Sequence, residues 1–206
     1  MPLLPAVPKL QMVVPSLLAG IYVDVPSAVK RVAPPPGLVP GLQNYPGTLL
    51  NTSLPATVPR RYKWLPWHEG MISVTQANDD VLTGPMSGCL LASYSDANGR
   101  QAAHIGTTGD VAQSNAVKAA WRRHAIGIRN QEVVGFDPSM MSGLALPEHI
   151  AADEFPTPEF WGLITTMGRL FALKVYWQKN NNTRYRIARV EETHSMTDAE
   201  VRNWRV

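Results

Sequence analysis

The chain's only cysteine, Cys89, follows the run Thr83-Gly84-Pro85-Met86-Ser87-Gly88, and His104 stands fifteen residues further on. A thiol beside an imidazole is a nucleophile with its own base: the imidazole takes the thiol proton and later returns one to the leaving group. A third group normally orients the imidazole, and Thr83 is the best-placed candidate. Gly84, Pro85 and Gly88 make a tight, irregular loop of the kind that points successive backbone N–H groups at one place, as an oxyanion hole requires. Against this stands the ordinary fate of a lone cysteine, an inert small hydrophobe. Residue types and spacing alone do not choose between the two.

A hairpin must bring the pair together. Residues 71–76 and 89–94 read as strands, 96–99 as a turn and 101–106 as the returning strand. Side chains alternate along a strand, so an even loop puts Cys89 and His104 on one face. Register sets their separation. A two-residue Asn98-Gly99 turn places Cys89 opposite Thr108, four residues or ~13 Å from His104. A four-residue loop at 96–99 places it opposite Gly106, with His104 on the diagonal at roughly 7–8 Å. The second register is the one expected.

Around the hairpin, Ser114 is expected to N-cap a helix to about residue 125, with Val117, Ala120, Trp121 and His124 on one stripe. Residues 131–136 read as a strand. Thr157 followed by Pro158 reads as an N-cap with proline at the first helical position, opening a helix to about residue 170. Leu173, Val175 and Trp177 alternate, as do Tyr185 and Ile187, across a turn at Asn180-Asn181-Asn182. Thr197 and Glu200 form a capping box. The expected fold is α+β: a mixed, largely antiparallel, sandwich-like sheet flanked by helices.

Composition bounds the rest. The 206 residues are 45% hydrophobic and only 17% charged, and no apolar run reaches the ~18 residues of a membrane span. A single cysteine excludes an internal disulfide and a cysteine metal cluster. The formal charge of +3 sits entirely in residues 1–60, where Lys9, Lys30, Arg31 and Arg60 face Asp24 alone. Residues 61–206 are neutral, which argues against nucleic acid as a ligand. Twelve of the eighteen prolines also fall in residues 1–60. That segment is expected to be an extended arm wrapping a main domain at 61–206.

At Met86-Ser87-Gly88-Cys89, His104 and Thr83 the sequence resembles the cysteine–histidine deamidase superfamily, whose branches include the cytotoxic necrotizing factors, CheD and the Burkholderia lethal factor. Trp64-Leu65-Pro66-Trp67-His68-Glu69-Gly70 is similar to a tryptophan-rich stretch of the lethal-factor branch. The resemblance spans roughly residues 63–108, and Met86 stands where the family commonly has leucine. It implies a protein-glutamine deamidase without cofactor or metal. Cys89 would attack a glutamine carboxamide, and backbone N–H groups at Ser87, Gly88 and Cys89 would hold the oxyanion. His104, oriented by Thr83, would protonate departing ammonia. It also implies a monomeric bacterial toxin or effector, exported without a conventional signal peptide and acting in a target-cell cytosol. Its partner would be a glutamine-bearing protein such as a host translation factor or GTPase, with neither nucleic acid nor membrane as ligand.

Other residues carry less. Trp64 and Trp67 flank Pro66 and are candidates for a substrate groove, with core packing the alternative. His68, His124, His149 and His194 show no metal-ligand spacing and read as packing or surface residues. Arg122-Arg123 and the Arg184/Arg186/Arg189 alternation read as solvated faces. Asp137, just after Phe136, is placed to approach the site from a neighbouring strand. A non-enzymatic interaction module, docking through the proline-rich arm and exposed tryptophans, is the alternative function. A cysteine protease would share the nucleophile.

Overall fold

The computed structural model describes residues 60–128, 131–147 and 149–204, together with the strands at 22–24, 42–44 and 48–52. The fold is α+β: two sheets, mostly antiparallel, with helices on one side. The smaller sheet has the order β2-β5-β8-β7-β9, from Leu42–Asn44, Ile72–Gln76, Gly99–Ile105, Leu90–Asp96 and Val134–Phe136. The larger has the order β1-β12-β11-β10-β6-β4-β3, from Tyr22–Asp24, Asn181–Thr193, Leu170–Gln178, Glu159–Ile164, Val81–Gly84, Arg60–Pro66 and Thr48–Thr52. Its two edge strands, β1 and β3, approach each other, so this sheet curls toward a barrel. No helix among the described residues is long and apolar enough to cross a membrane.

Strand alternation divides the core into three layers. On one face of the five-stranded sheet Ile72, Val74, Leu90, Ala92, Tyr94, Ala103 and Ile105 pack under helix α1 (Val111–Gly127), against Val117, Trp121 and Ala125. Val201 and Trp204, in and after helix α2 (Asp198–Arg202), close that layer, and Trp121 Nε1 donates to Val201 O at 2.7 Å. The opposite face presents Cys89, Leu91, Ala102 and His104 to the seven-stranded sheet, which contributes Leu65, Val81, Ile164, Leu170 and Ala172. The far face of the larger sheet holds Trp64, Leu82, Trp161, Phe171, Leu173 and Tyr185. Trp161 is central there, its ring 5.1 Å from Trp64 and 4.6 Å from Tyr185.

Several expectations change. Residues 159–164 form strand β10, not a helix, paired with both β6 and β11. Trp161 and Leu163 enter one core while Phe160 and Ile164 pack on the other, so both faces are covered. A central strand buried on both sides reads as a continuous apolar run, which a helical stripe also fits. Gly168, with φ of +83°, then supplies the reversal into β11. Helix α1 starts four residues early: Asp110 is its N-cap and accepts from Gln113 N, while Ser114 Oγ bonds back to the Thr108 backbone. The strand expected at 131–136 is confined to β9. Arg186 is no solvated residue, since its guanidinium pairs with the fully buried Glu154 carboxylate at 2.5 Å. The capping box at Thr197 and Glu200 is present.

Of the proline-rich segment, β1, β2 and β3 are extended and each pairs with the main domain: β1 with β12, β2 with β5, β3 with β4. The rest of the expected wrap, Pro34-Pro35-Pro36 included, lies outside the described residues, as does Arg184 as a side chain.

Candidate active site

The hairpin takes the expected register. Leu91 pairs with His104 and Asp96 with Gly99, leaving Ala97 and Asn98 as a loop two residues shorter than expected. Cys89 precedes β7 by one residue and lies on the same face as Leu91, so it stands diagonally from His104 on the face toward the larger sheet. Thr83 comes from elsewhere than expected. It is a residue of β6 in the other sheet, not of the cysteine's loop, and reaches His104 across the layer.

That contact fixes the state of the imidazole. Thr83 Oγ1 is 2.6 Å from the Leu65 carbonyl oxygen and 2.6 Å from His104 Nδ1. A hydroxyl has one proton, and the carbonyl can only accept, so Thr83 donates to Leu65 and accepts from Nδ1–H. The Nδ1–H tautomer leaves a lone pair on Nε2, and Nε2 has no hydrogen-bond partner in the protein. His104 is 1% exposed. Burial, reinforced by the neighbouring His68, pushes its pKa down to about 3, so the ring is neutral at ordinary pH. A neutral imidazole with a free lone pair is the protonation state a general base starts from, and the same burial makes it a reluctant proton acceptor.

Cys89 is 2% exposed yet lines a solvent-open cavity of about 350 Å³, with Trp67, Glu69, Pro85, Ser87, Thr107, Thr108 and Gly109. Its sulfur is not hydrogen-bonded to His104, contrary to the expected contact. It lies 3.4 Å from Thr107 Oγ1, whose own proton goes to Gly88 O at 2.8 Å, so the thiol is the donor. Burial pushes the thiol pKa up and the Asp137 charge adds to this. The backbone amides of Thr107 and Ser87 act in the opposite sense, as does the Thr107 hydroxyl when turned to donate to a thiolate, and all are outweighed. At rest the site therefore holds a neutral thiol turned toward Thr107 and a neutral imidazole on the same face, with no ion pair between them.

The backbone donors are rearranged as well. The Gly88 N–H donates to Ser139 Oγ at 3.3 Å, so it is not free for an oxyanion. The amides that favour a negative sulfur are those of Ser87 and Thr107, which keeps Ser87 and replaces Gly88 with a residue the sequence did not single out. Gly88 has φ of +70°, the left-handed conformation that a glycine adopts at no steric cost. Trp67 lines the cavity, whereas Trp64 is core, edge-on to Trp161 and away from the cavity lining. His68 is a packing residue beside His104. Asp137 does approach the site, one step past the Leu91–Phe136 pair. Among the described residues no group of three or more His, Cys, Asp or Glu side chains is arranged to hold a metal ion.

Thr107 and Ser139 contact the Cys89 loop and were not singled out from the sequence. Thr107 follows the returning strand by two residues, and its proximity to Cys89 was implicit in the register. Ser139 belongs to a short 3-10 turn (Pro138–Met140) whose place beside the Cys89 loop depends on the β7–β9 pairing. No protein-family model, no curated protein and no solved structure matches the chain.

Proposed function

We propose that the chain is a protein-glutamine deamidase of the bacterial toxin or effector kind, working through Cys89, His104 and Thr83 without a cofactor. One observation carries the reading. Thr83, from a different sheet, engages Nδ1 of His104 and leaves Nε2 bare on the face that carries the only thiol. A packing histidine would also need an acceptor for its buried N–H, but it would gain nothing from a buried, unpartnered Nε2 on the thiol's face.

In the proposed reaction a glutamine carboxamide enters the Cys89 cavity and the sulfur turns from Thr107 toward His104. Nε2 takes the thiol proton as sulfur attacks the carboxamide carbon. The oxygen of the tetrahedral adduct accepts from the Ser87 and Thr107 amides. His104 returns the proton to nitrogen, ammonia leaves, and a thioester remains. Water, deprotonated by Nε2, then attacks the thioester and releases glutamate and the thiol. A glutamine on a protein loop fits a solvent-open cavity that Trp67 and Glu69 line together with Cys89.

The buried, protonated thiol is the observation on the side of the second reading, a non-enzymatic interaction module. The two part in an intact-mass experiment on candidate target proteins. The deamidase gives a gain of about 1 Da per glutamine with release of ammonia, abolished by Cys89→Ala. Equal modification by wild type and Cys89→Ala, or release of peptides instead of ammonia, defeats the proposal.

A further inference from the structure

Beside the cysteine loop lies a second hydrogen-bonded chain that the proposed reaction does not use. Asp137 Oδ1 accepts from Ser139 N at 2.9 Å and from Ser139 Oγ at 2.7 Å. Ser139 Oγ in turn accepts from Gly88 N at 3.3 Å. Because the Ser139 proton is committed to the carboxylate, its oxygen is left as an acceptor for the Gly88 amide, and the direction of the chain is fixed. Gly88 sits in a left-handed turn immediately before the nucleophile. Its carbonyl is held from the other side by Thr107 Oγ1. The peptide group on each side of Gly88 thus has its own side-chain anchor.

We infer that Asp137 and Ser139 are positioning residues of the site, the chain from the Asp137 carboxylate through the Ser139 hydroxyl to the Gly88 amide setting the turn that presents Cys89 to its cavity. Asp137 is nine-tenths buried and two residues from Ser139, so the pair is a preassembled Asx turn rather than a chance surface contact. The turn is itself anchored, because β9 pairs with β7 through Leu91 and Phe136. A carboxylate this close has a second effect: its charge opposes ionisation of the sulfur. The Asp137 charge thereby adds to the burial that keeps Cys89 a thiol, while Ser139 fixes where that thiol points. The other ionisable groups around the sulfur are Glu69 on the cavity rim and His104 with His68 behind it.

The role in turnover rests on the deamidase proposal, but the positioning of the thiol does not, and the test uses that difference. The rate of iodoacetamide alkylation of Cys89 is measured by intact mass from pH 6 to 10 in wild type, Asp137→Asn, Ser139→Ala and Ser139→Thr. Asp137→Asn keeps the acceptor oxygen and removes the charge. Its profile moves to lower pH, giving alkylation roughly threefold or more faster at a fixed pH below the thiol pKa, since each pKa unit changes the thiolate fraction about tenfold. Ser139→Ala frees the Gly88 amide and raises the alkylation rate across the range without moving the midpoint, and Ser139→Thr restores the wild-type profile. On a target that wild type deamidates, Ser139→Ala lowers kcat about tenfold with KM unchanged, below the ~100-fold cost of a full 1 Å misplacement. Asp137→Asn and Ser139→Ala profiles that both overlay wild type overturn the inference. Shifted profiles in a protein that turns over no glutamine sustain it and discard the deamidase instead.

Discussion

Acidification should destabilise this protein strongly through one imidazole. His104 is enclosed between the sheets with its Nδ1 proton on Thr83, and burial holds its folded pKa near 3 against an ordinary 6.5. A histidine whose folded pKa is depressed binds its proton in the unfolded chain first. Stability is therefore intact above about pH 6.5 and falls as the pH drops from there toward 3. At pH 4 the deficit spans two and a half pH units at about 1.4 kcal/mol each, or roughly 3–4 kcal/mol from this residue alone. That is a large share of the 5–15 kcal/mol typical of a folded domain, and at ~2 kcal/mol per molar it moves a urea midpoint by about 1.5 M. The assay is urea unfolding of wild type and His104→Gln at pH 7, 5.5 and 4. Carboxylates and the other histidines, including His124 with its own lowered pKa, titrate in both proteins and cancel in the comparison. The exception is His68, whose charge acts on His104. The wild-type midpoint should fall more steeply than that of His104→Gln, by about 1.5 M between pH 7 and 4. Parallel lines would mean that His104 titrates normally in the folded state and that the reasoning about its enclosure is wrong.

Thr83→Val keeps the volume but removes the oxygen that fixes the tautomer, and should lower kcat ~100-fold or more with little change in KM on any target the wild type deamidates. Because His104 is neutral far below pH 6.5, the acid limb of the kcat/KM profile should be missing between about pH 5 and 7, and a limb with a midpoint near 6.5 would contradict the buried assignment. Gly84→Ala should destabilise by about 3 kcal/mol or more in urea titration, since a Cβ there would overlap the fully buried Trp161 indole. Trp161→Ala, emptying the space between Trp64 and Tyr185, should cost about 3–5 kcal/mol by the same measurement.

The hairpin and its face were readable from the sequence because strand periodicity is strict: once 96–99 is taken as the turn, parity places Cys89 and His104 together. The loop itself tightened without changing the register, as Asp96 and Gly99 pair with each other. Thr83 was found for the wrong local reason. Six residues before Cys89 it looked like part of one loop, yet β6 carries it into the other sheet, a fact that only long-range pairing with β4 and β10 determines. Residues 159–164 misled because burial on both faces erases the alternation that marks a strand. The protonation states were out of reach. The sequence suggested a thiol in contact with its imidazole, whereas burial leaves both groups neutral and the thiol donates its hydrogen bond to Thr107.

The first strands of the chain stitch both sheets. β1 lies against β12, some 160 residues distant, and with β3 it brings the two margins of the curled sheet together. β2 adds the outermost parallel strand beside β5. A version starting at residue 61 would bare the backbone of β12, β4 and β5 at once, inviting intermolecular pairing. During synthesis β1 must wait for β12, made some 160 residues later, so closure of the larger sheet is a late, long-range event.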